Sequence, residues 1–157
     1  MKYFHILNHI NELPLAISER KYIQIRSFLL DAAQGTVRSD ADIEAALSPR
    51  RERQAALSDG AVRVIPMVGV ISQRVSMLMD ASESGVSTER FVRAIRDAQA
   101  DSSVKAIIVD ADSPGGTVDG VPEASDAIYA MRGNKPMVLV ARPRLFSAAY
   151  WIGSAFD

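Results

Sequence analysis

The chain has 157 residues, 48% of them apolar, and a formal net charge of −1, which is enough for one domain with a real core. With 18 Lys and Arg against 19 Asp and Glu, there is no electrostatic case for a nucleic-acid or anionic-membrane surface. The absence of cysteine excludes thiol catalysis, disulfide staples and Cys-ligated zinc.

The first residues carry a short apolar patch at Tyr3–Leu7 that Asn8, His9 and Asn11 break before it reaches signal-peptide length. No run approaches the ~18 apolar residues of a membrane span. The expectation is a cytoplasmic protein without a membrane span. Residues 1–60 read as a helical N-terminal segment. Tyr22, Ile25, Leu29 and Ala33 fall near helical spacing, and the helix should end around Gly35. Ser39–Asp42 has the look of a capping box ahead of Ile43, Ala46 and Leu47, with Pro49 as the stop. The Arg50-Arg51-Glu52-Arg53 run reads as a solvated helix end.

From Ala61 the pattern alternates strand and helix. Val62–Ile71 predicts a strand, with Pro66 and Gly69 marking an edge or a bulge. Ser87 is the expected N-cap of a helix burying Phe91, Ile95 and Ala98 and running to Ala100. Val104–Asp110 and Pro136–Ala141 are continuous apolar runs, as for strands buried on both faces. Pro122–Arg132 predicts a helix stopped by Gly133-Asn134, and Leu145–Ala155 a further buried helix. The sum is an α/β fold, a parallel sheet with crossover helices, and no internal repeat in the sequence.

In such sheets chemistry gathers where strands end. Two loops are expected there, Asp112-Ser113-Pro114-Gly115-Gly116 and Arg142-Pro143-Arg144-Leu145-Phe146-Ser147. A Gly-Gly turn can aim bare N–H groups at one point and so form an oxyanion hole, although Pro-Gly by itself is an ordinary turn. Ser147 opens a helix with the Ala148 N–H free to join that hole, although serines there usually only cap. Tyr150 and Trp151 read as core. Asp110 and Asp112 lack a third metal ligand and read as loop solvation. Ser113 reads as shaping the turn, and Ser154 as structural.

The strand VIPMVGVIS, the loop DADSPGG and the helix SAAYWIGSA, in this order, resemble the serine peptidases of the signal-peptide-peptidase-A type, over residues 61–157. Among these the chain is most similar to the capsid-protein-C group of phage head-maturation proteases. The resemblance implies the ClpP/crotonase fold, Ser147 as nucleophile, and Gly115, Gly116 and Ala148 as oxyanion donors. It also implies a Ser/Lys dyad, no cofactor or metal, homo-oligomers, and peptide substrates such as capsid or scaffold proteins in an infected host or a procapsid. The dyad's lysine should lie several tens of residues beyond the serine, and the sequence ends ten residues beyond it. The general base is therefore expected outside this sequence. Lys105 and Lys135 sit at the wrong ends of their strands; Lys2, Lys21, His5 and His9 belong to the unplaced N-terminal segment. Two rival readings remain, a catalytically inactive relic serving as an assembly module, and a crotonase-type acyl-CoA enzyme that would not need Ser147.

Overall fold

The computed structural model describes residues 14–33, 60–73 and 85–157. The expected capping box at Ser39, the arginine run at residues 50–53, and Lys2, His5 and His9 lie outside the described residues.

In chain order the elements are β1 (Leu15–Ile17), α1 (Glu19–Ala33), β2 (Val62–Val68), β3 (Val70–Ser72), β4 (Gly85–Ser87) and α2 (Thr88–Ala100). There follow β5 (Ala106–Ser113), β6 (Gly115–Thr117), α3 (Val121–Tyr129), β7 (Met137–Leu145) and α4 (Ala148–Gly153). The long strands form a parallel sheet in the order β2-β5-β7, with α2 and α3 as crossovers. The short strands form a second sheet in the order β1-β6-β3-β4. The fold is thus α/β with a parallel sheet, as the alternation predicts.

The sequence repeat that patterning does not reveal exists in three dimensions. Each long strand ends at a corner with positive φ: Gly69 at 97°, Gly115 at 95° and Ser147 at 54°. After the first two corners the chain enters a short strand of the second sheet, and after the third it enters α4. The corners are bonded to each other. The Gly69 N–H donates to the Asp112 carbonyl at 3.0 Å, the Ser113 hydroxyl donates to the Gly69 carbonyl at 2.6 Å, and the Phe146 N–H donates to the Ser113 carbonyl at 3.1 Å.

The core lies between the long sheet and the helices. Ser87 caps α2 as expected: its Oγ accepts from the Arg90 N–H at 3.3 Å, and Phe91, Val92, Ile95 and Ala98 are buried. Ile107, Val109, Ile128 and Ile152 are fully buried, each worth about 1.5–3 kcal/mol over an exposed position. A smaller cluster joins Ile25 and Leu29 of α1 to Val70, with Leu15, Ile17, Tyr22 and Phe28 around it.

Several expectations need correction. Val62–Ile71 is two strands, because the Gly69 corner sends β3 into the other sheet. The two expected loops are largely strand: β5 runs to Ser113, β6 begins at Gly115, and Arg142–Leu145 belongs to β7. The strands are not buried on both faces. Residues of β5 alternate between buried and half-buried, and β7 is an edge strand with Val138 47% and Val140 40% exposed. Among the described residues helices cover only one face, so continuous apolar sequence overstates burial here. The last helix is shorter than expected, and Tyr150 and Trp151 are exposed rather than core, because Ala148, Ala149 and Ile152 form its buried side. The N-terminal segment is not purely helical either, since it contributes β1.

Candidate active site

Ser147 stands at the junction of β7 and α4 with φ 54° and ψ −117°. A side chain with a Cβ rarely takes this conformation, and holding it costs on the order of 1–3 kcal/mol. The residue is exposed, and its side chain makes no capping hydrogen bond, so the ordinary N-cap role does not explain it. What fixes the corner is its surroundings. The Trp151 N–H donates to the Ser147 carbonyl at 2.9 Å, the Ala149 N–H to the Phe146 carbonyl at 3.0 Å, and Ala148 and Ala149 are fully buried behind it. A strained strand-to-helix turn that pushes a hydroxyl outward is the geometry of a nucleophile elbow. The Ala148 N–H has no acceptor among the described residues.

The Gly115-Gly116 corner lies beside it. A Cβ built on Gly115 would stand 3.1 Å from the Phe146 carbonyl oxygen and 2.3 Å from that of Ala16. One built on Gly116 would stand 1.9 Å from the Ile71 carbonyl oxygen. Both glycines are therefore required by close backbone approach, and Gly115 also by its positive φ. The fold thus brings Ser147, Ala148 and the Gly-Gly corner together at the ends of adjacent parallel strands.

The two glycine amides are occupied. The Gly115 N–H donates to Ser113 Oγ at 3.2 Å, consistent with a turn-shaping role for that fully buried serine. Gly116 pairs with Ala16 of β1 in an antiparallel ladder. Its flanking rungs run from the Ser18 N–H to the Pro114 carbonyl at 2.8 Å and from the Val118 N–H to the Pro14 carbonyl at 3.2 Å. Hydrogen-bonded rungs alternate in such a ladder, so the Gly116 N–H faces the Ala16 carbonyl.

The aspartates are not loop residues but form cross-strand pairs on the open face of the sheet. Arg142 donates to Asp110 through Nε at 2.9 Å and a second guanidinium nitrogen at 2.6 Å, and Arg144 to Asp112 in the same forked manner at 2.6 and 3.1 Å. These hydrogen bonds raise both guanidinium pKa values above their ordinary range. The pairs tie β5 to β7 where the register shifts between Ala111 and Ser113, directly before Ser147. Sequence reading missed them, although two Asp and two Arg at matching i, i+2 spacing on neighbouring strands is a visible signal.

The lysines in strand-flanking positions are engaged elsewhere. Lys135 Nζ donates to the Ala98 and Asp101 carbonyls at 2.9 and 2.6 Å, closing the end of α2, and Lys105 Nζ donates to the Ser102 carbonyl at 3.0 Å. Ser154 Oγ donates to the Trp151 carbonyl at 2.7 Å. Among the described residues no helix is long and apolar enough to cross a membrane.

Comparison with known proteins adds one likeness. Over 94 residues, 60% of this chain, the sequence is 31% identical to the head-tail preconnector protein GP5 of Enterobacteria phage P21. The match covers 19% of that protein, so the chain spans about a fifth of the relative's length. No protein-family model matches the chain.

Proposed function

We propose that this chain carries the nucleophile and the oxyanion donors of a phage serine peptidase of the Ser/Lys type, acting on head proteins during capsid maturation. The observation that carries the reading is the Ser147 corner, an exposed serine on a strained strand-to-helix turn followed by an Ala148 N–H that has no acceptor among the described residues. The partial likeness to a phage head-tail preconnector protein supports the setting. In this reading the fold is of the ClpP/crotonase kind. Ser147 Oγ attacks the scissile carbonyl, and its proton passes to a lysine outside this sequence. The carbonyl oxygen becomes an oxyanion held by the Ala148 N–H and a glycine amide of the Gly115-Gly116 corner. Collapse of that adduct breaks the C–N bond, the leaving amine takes the proton, and water later releases the acyl group. Capsid or scaffold proteins are the proposed substrates, and self-assembly in the host cytoplasm or procapsid the proposed context.

The test is incubation of the full gene product with a fluorophosphonate, followed by mapping of the label. Label on Ser147, lost in Ser147→Ala, is the expected result; label elsewhere or none overturns the reading. A second reading, an assembly module without catalysis, draws on the exposed apolar surface of Phe146, Tyr150 and Trp151 (48, 65 and 46% exposed). It predicts no label but intact assembly.

A further inference from the structure

β1 is an unusual component of the sheet it completes. It comes from the N-terminal segment, is three residues long, and among the described residues pairs only with β6. It runs antiparallel to β6, whereas β3 and β4 run parallel to the strands beside them. Its rung partner is Gly116, and its Ala16 carbonyl and the Phe146 carbonyl beside Ser147 both crowd the single point where a Gly115 side chain would sit. One carbonyl of β1 therefore faces an amide that an attacked substrate carbonyl would need.

On the peptidase reading an extended substrate peptide lies along the outer edge of β6, and we propose that residues Leu15–Ile17 fill that edge in this structure as an internal stand-in. An extended peptide binds a free strand edge through its backbone, with alternate side chains reading pockets. β1 does both. Ala16 supplies the rung with Gly116, while Leu15 and Ile17 pack on the apolar cluster of Ile25, Leu29 and Val70. The chemistry favoured in trans is thus an uncharged extended segment with aliphatic side chains two residues apart. The Gly-Gly sequence suits β6 to this role, because neither residue presents a side chain to the edge. The opposite edge of β6 is closed against Ile71 and cannot serve. Displacement of β1 is inexpensive relative to unfolding, since all three of its residues are only half-buried and Ala16 is the one among them that packs against the main core. Ser147 itself is exposed, so the stand-in should exclude peptides without excluding small reagents.

The experiment uses a fluorescein-labelled peptide with the sequence of residues 13–19, LPLAISE, and reads anisotropy on the full gene product carrying Ser147→Ala. The wild-type β1 is compared with Ala16→Pro, which removes the N–H of the central rung, and with the double variant Leu15→Ala/Ile17→Ala, which leaves the backbone intact. A tethered strand competes at millimolar effective concentration, so both variants should bind the peptide at least ~10-fold more tightly than the parent. Equal affinity in all three, or no binding to any, overturns the proposal. Should Ala16→Pro fail to fold, the double variant decides. Fluorophosphonate labelling of the same β1 variants with Ser147 restored separates the two ideas. Tighter peptide binding without label keeps the strand seat and removes the peptidase, while label with unchanged peptide affinity does the reverse.

Discussion

The corners at Gly115 and Ser147 turn the chain in the same way with opposite means. Each ends a long parallel strand with a positive φ, and each is bonded through the Ser113-Phe146 neighbourhood to the other. Glycine takes such a conformation without steric cost, whereas serine takes it at a cost of order 1–3 kcal/mol. At Gly115 the reason for the residue is contact, since backbone oxygens of Ala16 and Phe146 leave no space for a Cβ. At Ser147 the side chain faces outward and the strain has no structural return. On the proposed peptidase reading, the hydroxyl is the reason for a costly residue where a cheap one stands in the other two corners.

Substitutions can break this contrast, and the largest effect is expected at the second corner. Gly116→Ala drives a methyl group into the Ile71 backbone, with 1.9 Å to its oxygen and 2.6 Å to its carbon and nitrogen. Backbone on both sides cannot give way, and we expect a loss of about 3 kcal/mol or more in urea denaturation. Gly115→Ala should cost less, because its tightest contact is with β1, which can peel away.

At the third corner the sign should reverse. Ser147→Gly removes the strain and should stabilise the protein by about 1 kcal/mol, after the glycine's greater chain entropy is subtracted. Ser147→Ala keeps the strain and should stay within about 0.5 kcal/mol of the parent. Both should abolish fluorophosphonate labelling. A Ser147→Gly variant less stable than the parent would mean that the hydroxyl or Cβ is holding the corner together.

The smallest effect concerns the opposite end of the strand that leads to Ser147. Asp157 accepts from the Met137 N–H at 2.9 Å and from Arg132 Nε at 3.1 Å, and these bonds, the first the larger cause, hold its carboxyl below the ordinary 3.8. A depressed folded pKa stabilises the folded state above the unfolded value and loses that contribution as pH falls through the folded one. The gap between the denaturation midpoints of the parent and Asp157→Asn at pH 7 should therefore narrow as pH falls through the carboxylate range and close once Asp157 is protonated in the folded state. A gap that widens on acidification would reverse this assignment.

Much of this architecture is legible along the chain. Ser87 capping α2, the apolar periodicity of Phe91, Ile95 and Ala98, and the alternation from Val62 onward are local signals, set by residues within a few positions of each other. The Gly-Gly corner and the serine opening a helix are legible for the same reason. Their roles remain proposals, but their positions on adjacent strand ends follow from the order of strands and helices. The Arg142–Asp110 and Arg144–Asp112 pairs were legible only as a matching i, i+2 spacing, since which Arg meets which Asp depends on the parallel register of β5 and β7. Tyr150 and Trp151 misled because aromatic residues on a short helix look like core until the buried side is known to be the alanines.

By itself the sequence determined an α/β chain of net charge −1, without cysteine, with a glycine pair and a serine at successive strand ends. Tertiary structure alone decided that Ser147 is held at positive φ, that Val138 and Val140 of the long sheet are exposed, and that Leu15–Ile17 lies along the glycine strand. The division has one physical cause. Propensity, capping and periodicity act between near neighbours in the chain, whereas edge pairing, face coverage and tolerated strain come from contacts between residues as much as a hundred positions apart.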